Sequence, residues 1–187
     1  MFRIQKHPPI SNEKGGFFRS EMKMSRTHRI VLMAMLAAIQ IVLSRFLSIN
    51  LWNLKIGFAF VPIALAGMLL GPAKAGLVGA VADLIGATLF PSGTFFPGFT
   101  LTAFITAFGY GFFLQKKQNL SNILAAVLFS EIVGTILLNT LWISIMYGAP
   151  FVAVMIPRVG QAVGMAVVEV IVIKLLAKYT PHLKKAI

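Results

Sequence analysis

Three carboxylates stand where carboxylates are costly. Asp83, Glu131 and Glu169 each interrupt a long apolar run, and an acid near the centre of a bilayer costs a few kcal/mol unless it faces protein or water. Asp83 shares a helical face with Gly76, Gly79 and Gly86, the small-residue side along which helices approach closely. A carboxylate held there can accept two hydrogen bonds from an amino-substituted heterocycle, or equally cap neighbouring hydroxyl and backbone groups. Glu131, Thr135 and Asn139 recur every four residues, and Arg158, Gln161, Met165 and Glu169 form a second stripe. Lipid offers polar groups no partners, so both stripes are expected to point inward. By rise per residue each acid lies about 12–16 Å from the cytoplasmic end of its helix. Glu131 and Glu169 are therefore too deep to meet cations at the outer face and are expected to be structural or partner-facing. Asn139, Arg158 and Gln161, nearer the outer end, are the ligand candidates.

Fourteen of the seventeen Lys and Arg residues fall in four places: the tail from Arg3 to Arg29, Lys74, Lys116–Lys117, and the segment from Lys174 to Lys185. Positive charge on short flanks marks the cytoplasmic side, so both termini are expected there. Arg45, Lys55 and Arg158 fall on the opposite side, grouped by the alternation of helices with Asn50, Trp52 and Tyr147. Any one of them can be read as a snorkelling cation; together they suggest a mouth that recognises an anion. The run FPSGTFFPGFT (Phe90–Thr100) lies beside them, inside 32 uncharged residues from Leu84 to Gln115. Its Phe90, Phe95, Phe96 and Phe99 suit an interfacial belt or stacking against a flat ring. Gly93 and Gly98 would let this loop close over a ligand.

Other chemistries are excluded by type and place. The chain has no cysteine, which removes thiolate metal sites and cysteine nucleophiles. GPAKAG (Gly71–Gly76) lacks the GxxxxGK[ST] pattern of a phosphate loop. His7, His28 and His182 lie outside the apolar spans and no HExxH occurs, so neither a metal-dependent nor a Ser/His intramembrane hydrolase is supported. A formal charge of +12 would suit nucleic acid, but its segregation to one membrane face argues against that reading.

The elements that must position these residues are transmembrane helices. Hydrophobic residues make up 58% of 187 and mean hydropathy is +0.86, too apolar for a water-soluble core and shell. The expected fold is an all-α membrane protein, a six-helix bundle over residues 26–180. A disordered basic tail (1–25) precedes it, with Met22 or Met24 as an alternative start, and a short cytoplasmic tail (181–187) follows. The helices are expected over about Ser25–Ser48, Ile56–Leu70, Ala73–Leu89, from Pro97 to before Gln115, Leu120–Met146 and Val152–Lys178. Gly71-Pro72 and Pro97 supply punctuation, and Pro157 is expected to kink the last helix. Gly67xxxGly71, Ala75xxxGly79, Ala82xxxGly86 and Gly160xxxGly164 are expected to pack internally, whereas Ala34xxxAla38 can present a flat surface to another membrane protein.

With these motifs in view, residues 28–178 resemble the membrane-embedded substrate-binding subunit, or S component, of energy-coupling-factor vitamin transporters, most closely the folate-specific branch. The resemblance rests on Ala34xxxAla38, on LSRFLSINLWNLKIGFAFVPIALAGMLLGP (Leu43–Pro72), on DLIGATLFPSGTFFPGFTLTAF (Asp83–Phe104) and on IPRVGQ (Ile156–Gln161). It implies a prokaryotic cell-membrane protein that binds its vitamin from outside. A separate scaffold and two ATPase subunits would supply energy, and no cofactor is implied. It also implies that Ala34 and Ala38 dock on the scaffold and that the subunit topples in the membrane. Folate would then place its amino-pyrimidinone edge on Asp83 or Asn139 and its rings on Phe96, Phe99 and Trp52. Its carboxylates would meet Arg45, Lys55 and Arg158, with Gln161 nearby. An S component for riboflavin, a pyrimidine or pantothenate, and a stand-alone channel or carrier, are the competing readings.

Overall fold

The computed structural model describes residues 25–50, 55–91 and 93–186, without the side chains of Asn50, Lys55 and residues 184–186. Helix α1 spans Arg26–Arg45, its first turn capped by Ser25 Oγ, which accepts from the His28 amide at 3.2 Å. The helix stops three residues short of the expected end, and the next begins at Phe60, four residues late. Between them β1 (Ser48–Asn50) pairs antiparallel with β2 (Lys55–Gly57), Ile49 opposite Ile56. The bundle is thus not wholly helical. A linker at a membrane edge must satisfy its own backbone groups, and strand pairing does so where helix is interrupted. Gly57 permits the pairing, because a Cβ there would lie 2.7 Å from that of Ser48.

Helix α2 (Phe60–Leu70) has eleven residues, about 16 Å of rise, or roughly half the hydrocarbon thickness. It is apolar on all sides and mostly buried. Gly71, at φ 83°, ends it, and Pro72 opens α3 (Pro72–Leu89). Helix α4 (Pro97–Leu114) likewise begins on proline. Helix α5 (Leu120–Tyr147) is continuous but passes through a π-helical stretch, Ser130–Asn139, and stops at left-handed Gly148. Helix α6 (Phe151–Ala186) continues through both Pro157 and Pro181, eight residues past the expected end. Five of the six helices are long and apolar enough to cross a membrane, α2 being the exception.

Short α2 joins two buried clusters. Ile63, Ala64 and Met68 meet Tyr110 and Leu114 of α4, Ile123 and Val127 of α5 and Ile173 of α6. Ala66 and Leu70 meet Leu36 of α1 and Val78 of α3. Glycines set the closest approaches: a Cβ at Gly67 would come 2.7 Å from the Gly111 nitrogen, and one at Gly79 2.7 Å from the Ala103 carbonyl oxygen. Gly160 and Gly164, expected to pack internally, do not; a Cβ at either would meet nothing within 4 Å. Ala34 and Ala38 are exposed on α1. Elsewhere the outside is apolar, with Phe112 64% and Val163 65% exposed, the surface expected of a protein solvated by lipid tails.

Candidate ligand cavity

A cavity of about 400 Å³ opens between α1, the β hairpin, the segment before α4, and helices α3 to α6. Both polar stripes reach it. From α5 come Glu131, Thr135 and Asn139, joined by Ser130, and from α6 come Arg158, Gln161, Met165 and Glu169. The π-helical turns of α5 carry Ser130, Glu131, Thr135 and Asn139 to the same wall, in keeping with the association of such turns with functional positions.

Asp83 and Arg45 form the ion pair of the site, Arg45 Nη2 lying 3.5 Å from Asp83 Oδ1. Gly86, one turn beyond Asp83, makes the pair possible, because a Cβ there would sit 2.8 Å from Arg45 Nε. Thr100 donates its hydroxyl to the other oxygen, Asp83 Oδ2, at 2.8 Å. Both carboxylate oxygens are therefore engaged within the protein. Asp83 faces the cavity, yet its geometry is that of a group holding Arg45 and the start of α4 in place.

Arg158 is 6% exposed and donates from Nη1 to the Thr135 carbonyl oxygen at 3.3 Å. Its Nε is buried without a partner. At the other carboxylate of α6, Tyr110 Oη donates to Glu169 Oε2 at 2.6 Å. Glu131 and Glu169 were expected to be structural or partner-facing; both instead lie on the cavity wall, 7% and 4% exposed. The cavity penetrates farther than outer-face reasoning allowed.

Phe96 and Phe99 line the cavity with Gly93, Thr94 and Phe95. Phe96 packs edge-on to Phe99, ring centroids 6.2 Å apart, and against Trp142 at 5.6 Å. Trp142 is fixed from behind by its Nε1–H donated to Thr102 Oγ1 at 2.9 Å. Gly98 makes room for both rings. Phe90 turns away from the cavity to meet Phe46 edge-on at 5.4 Å. Of the expected site residues, Asp83, Arg45, Phe96, Phe99, Asn139, Arg158 and Gln161 converge on one cavity. Trp52 and the Lys55 side chain lie outside the described residues.

Beyond Arg45, sequence reasoning missed the uncharged polar residues that α1 and β1 contribute. Gln40, Ser44 and Ser48 line the cavity, and their spacing of four in an otherwise apolar segment was the signal.

A family model for the substrate-specific component of ECF transporters matches residues 28–177. The chain is 38% identical over 151 residues to a protein of Clostridium novyi (strain NT) named folate transporter FolT, covering 80% of this chain and 88% of that one. A protein of the same name from Leuconostoc mesenteroides subsp. mesenteroides is 38% identical over 140 residues, 71% of this chain and 75% of the relative. A solved structure described as FolT bound with folic acid superposes with a TM-score of 0.77 at 40% identity, covering 81% of this chain and 94% of that one. The match extends over all six helices and the cavity between them, and the chain belongs to the substrate-specific components of ECF transporters, multi-pass membrane proteins of bacteria.

Proposed function

We propose that this protein captures folate at the outer face of a bacterial cell membrane and delivers it to an ATP-driven importer whose scaffold and two ATPase subunits are separate chains. The observation that carries the reading is the cavity itself. It places aromatic rings (Phe96, Phe99), the half-buried cation of Arg45, the buried cation of Arg158 and amide or carboxylate acceptors around a volume of about 400 Å³, in a fold shared with a folic-acid-bound relative. Folate carries a flat donor-rich bicycle and two carboxylates, which match those groups in kind. In this reading all six helices cross or enter the membrane with both termini in the cytoplasm, following the placement of basic residues. Arg45, Lys55 and Arg158 take the carboxylates, while Phe96, Phe99 and Trp52 flank the rings, with Asn139 and Gln161 completing the polar wall.

The test is calorimetric titration of the purified protein in detergent with folate, riboflavin and thiamine, alongside uptake by liposomes containing this chain alone. Submicromolar one-to-one folate binding without ATP, and no uptake, is expected. Quenching of Trp142, which packs on the cavity-lining Phe96, should accompany binding. Tighter binding of another vitamin would discard folate, and uptake without partners would discard the division of labour.

The exposed Ala34 and Ala38 are assigned to docking on the scaffold, where small residues let backbones approach closely. Replacing both by leucine should leave folate affinity within about twofold of the parent, as expected for surface positions. The same change should abolish uptake in cells that supply the other subunits. Unimpaired uptake would remove these residues from the docking surface.

A further inference from the structure

Among the cavity's polar atoms, Glu131 Oε2 stands out. Its residue is 7% exposed, it faces the cavity, and this oxygen is buried without a hydrogen-bond partner. Its counterparts on the same wall are provided for. Asp83 binds Arg45 and Thr100, and Glu169 accepts from Tyr110. Gln40 Oε1 is also buried and without a partner, but an amide can exchange its two ends to suit either donor or acceptor, whereas a carboxylate presents acceptors alone. A buried acceptor left empty costs free energy comparable to a lost hydrogen bond. It recovers that cost when a donor arrives.

We infer that Glu131 is the specificity-determining residue for the ligand's head group, accepting N–H bonds from an amino-pyrimidinone edge, a role the sequence alone suggested for Asp83 or Asn139. This rests on the folate reading above. Two observations fit it beyond the empty oxygen. Glu131 stands in the π-helical part of α5, one turn from Thr135, whose carbonyl holds Arg158. That wall therefore offers Glu131 as the acceptor for the head group's N–H edge, one turn along α5 from the carbonyl that orients Arg158 for the ligand's carboxylate. No cation among the described residues pairs with Glu131 within 4.0 Å, since the ion pair there joins Arg45 to Asp83. The carboxyl has a side-chain hydrogen bond to Thr135, but Oε2 is left without a donor.

The experiment is a two-by-two calorimetric titration: parent protein and Glu131→Gln, each against folate and its 2-desamino-2-methyl analogue, which keeps the rings and the glutamate but loses the amino donor. The parent should bind folate about 30-fold more tightly than the analogue, the size of a hydrogen bond to a charged acceptor. Glu131→Gln should weaken folate about 30-fold while changing the analogue by about twofold or less, so that the discrimination collapses. Equal weakening of both ligands would show a structural role and overturn the assignment, as would a variant that still discriminates. If Glu131→Gln does not fold, as judged by its melting temperature, the parent arm decides: a parent that binds both ligands equally overturns the proposal, and one that discriminates supports it, with Glu131→Asp then tested for partial retention. A parent that binds the analogue and folate equally well leaves the folate reading intact. One that binds neither overturns both.

Discussion

Arg158→Ala should lower folate affinity by about 100-fold, equivalent to ~2.7 kcal/mol, in protein that remains folded. The guanidinium is buried on the cavity wall, held by the Thr135 carbonyl oxygen, and has an unpartnered Nε. Among the described residues no acid lies within 4.0 Å of it. An uncompensated cation inside a membrane protein is costly, and in the proposed reading the ligand's carboxylate removes that cost on binding, which is why the effect should exceed that of an exposed pair. Arg158→Lys keeps the charge and loses the planar fork, and should cost about tenfold. Calorimetry reads both variants. Affinity within threefold of the parent for a folded Arg158→Ala, with about tenfold the least that a lost charge-assisted bond should produce, would strike Arg158 from the site.

The largest effect on stability is expected at Gly111. A Cβ there would run into Pro72 Cα and the backbone of Gly71, while the facing Gly67 already lies against the Gly111 backbone. Neighbours of this kind are main chain and cannot swing aside. Alanine should destabilise by about 2–3 kcal/mol and lower the melting temperature by about 5–10 °C; valine should prevent recovery of monodisperse protein. Gly160→Ala is the matched control, because nothing lies within 4 Å of its added Cβ, and it should stay within about 0.5 kcal/mol of the parent. Thermal melts that rank Gly111→Ala with Gly160→Ala would show that α2 and α4 do not cross as described.

Much of the site was readable before any coordinates. The four-residue stripes of α5 and α6 identified their inward faces because a polar side chain in an apolar span has only the protein interior to go to. All four members of the α6 stripe reach the cavity. The same logic overlooked Gln40, Ser44 and Ser48, whose stripe is made of smaller and uncharged groups. It also placed Glu131 and Glu169 outside the site, because depth along separate helices was compared with an outer face and not with a cavity that runs inward.

What the sequence by itself determined was the class: a membrane bundle with its punctuation at Gly71-Pro72 and Pro97 and its inward faces marked by polar spacing. These are local or one-dimensional properties, set by hydropathy, backbone restriction and the absence of partners in lipid. Only the tertiary structure decided which acid is spent and which is free. Asp83 became a strut for Arg45 because Gly86 leaves space for the guanidinium and Thr100 reaches the other carboxylate oxygen; Glu131 was left with an empty Oε2 because no donor reaches that oxygen. The hairpin of β1 and β2 and the outward face of Gly160 and Gly164 were decided in the same way. Partnership is a property of several helices at once, and no spacing within one helix encodes it.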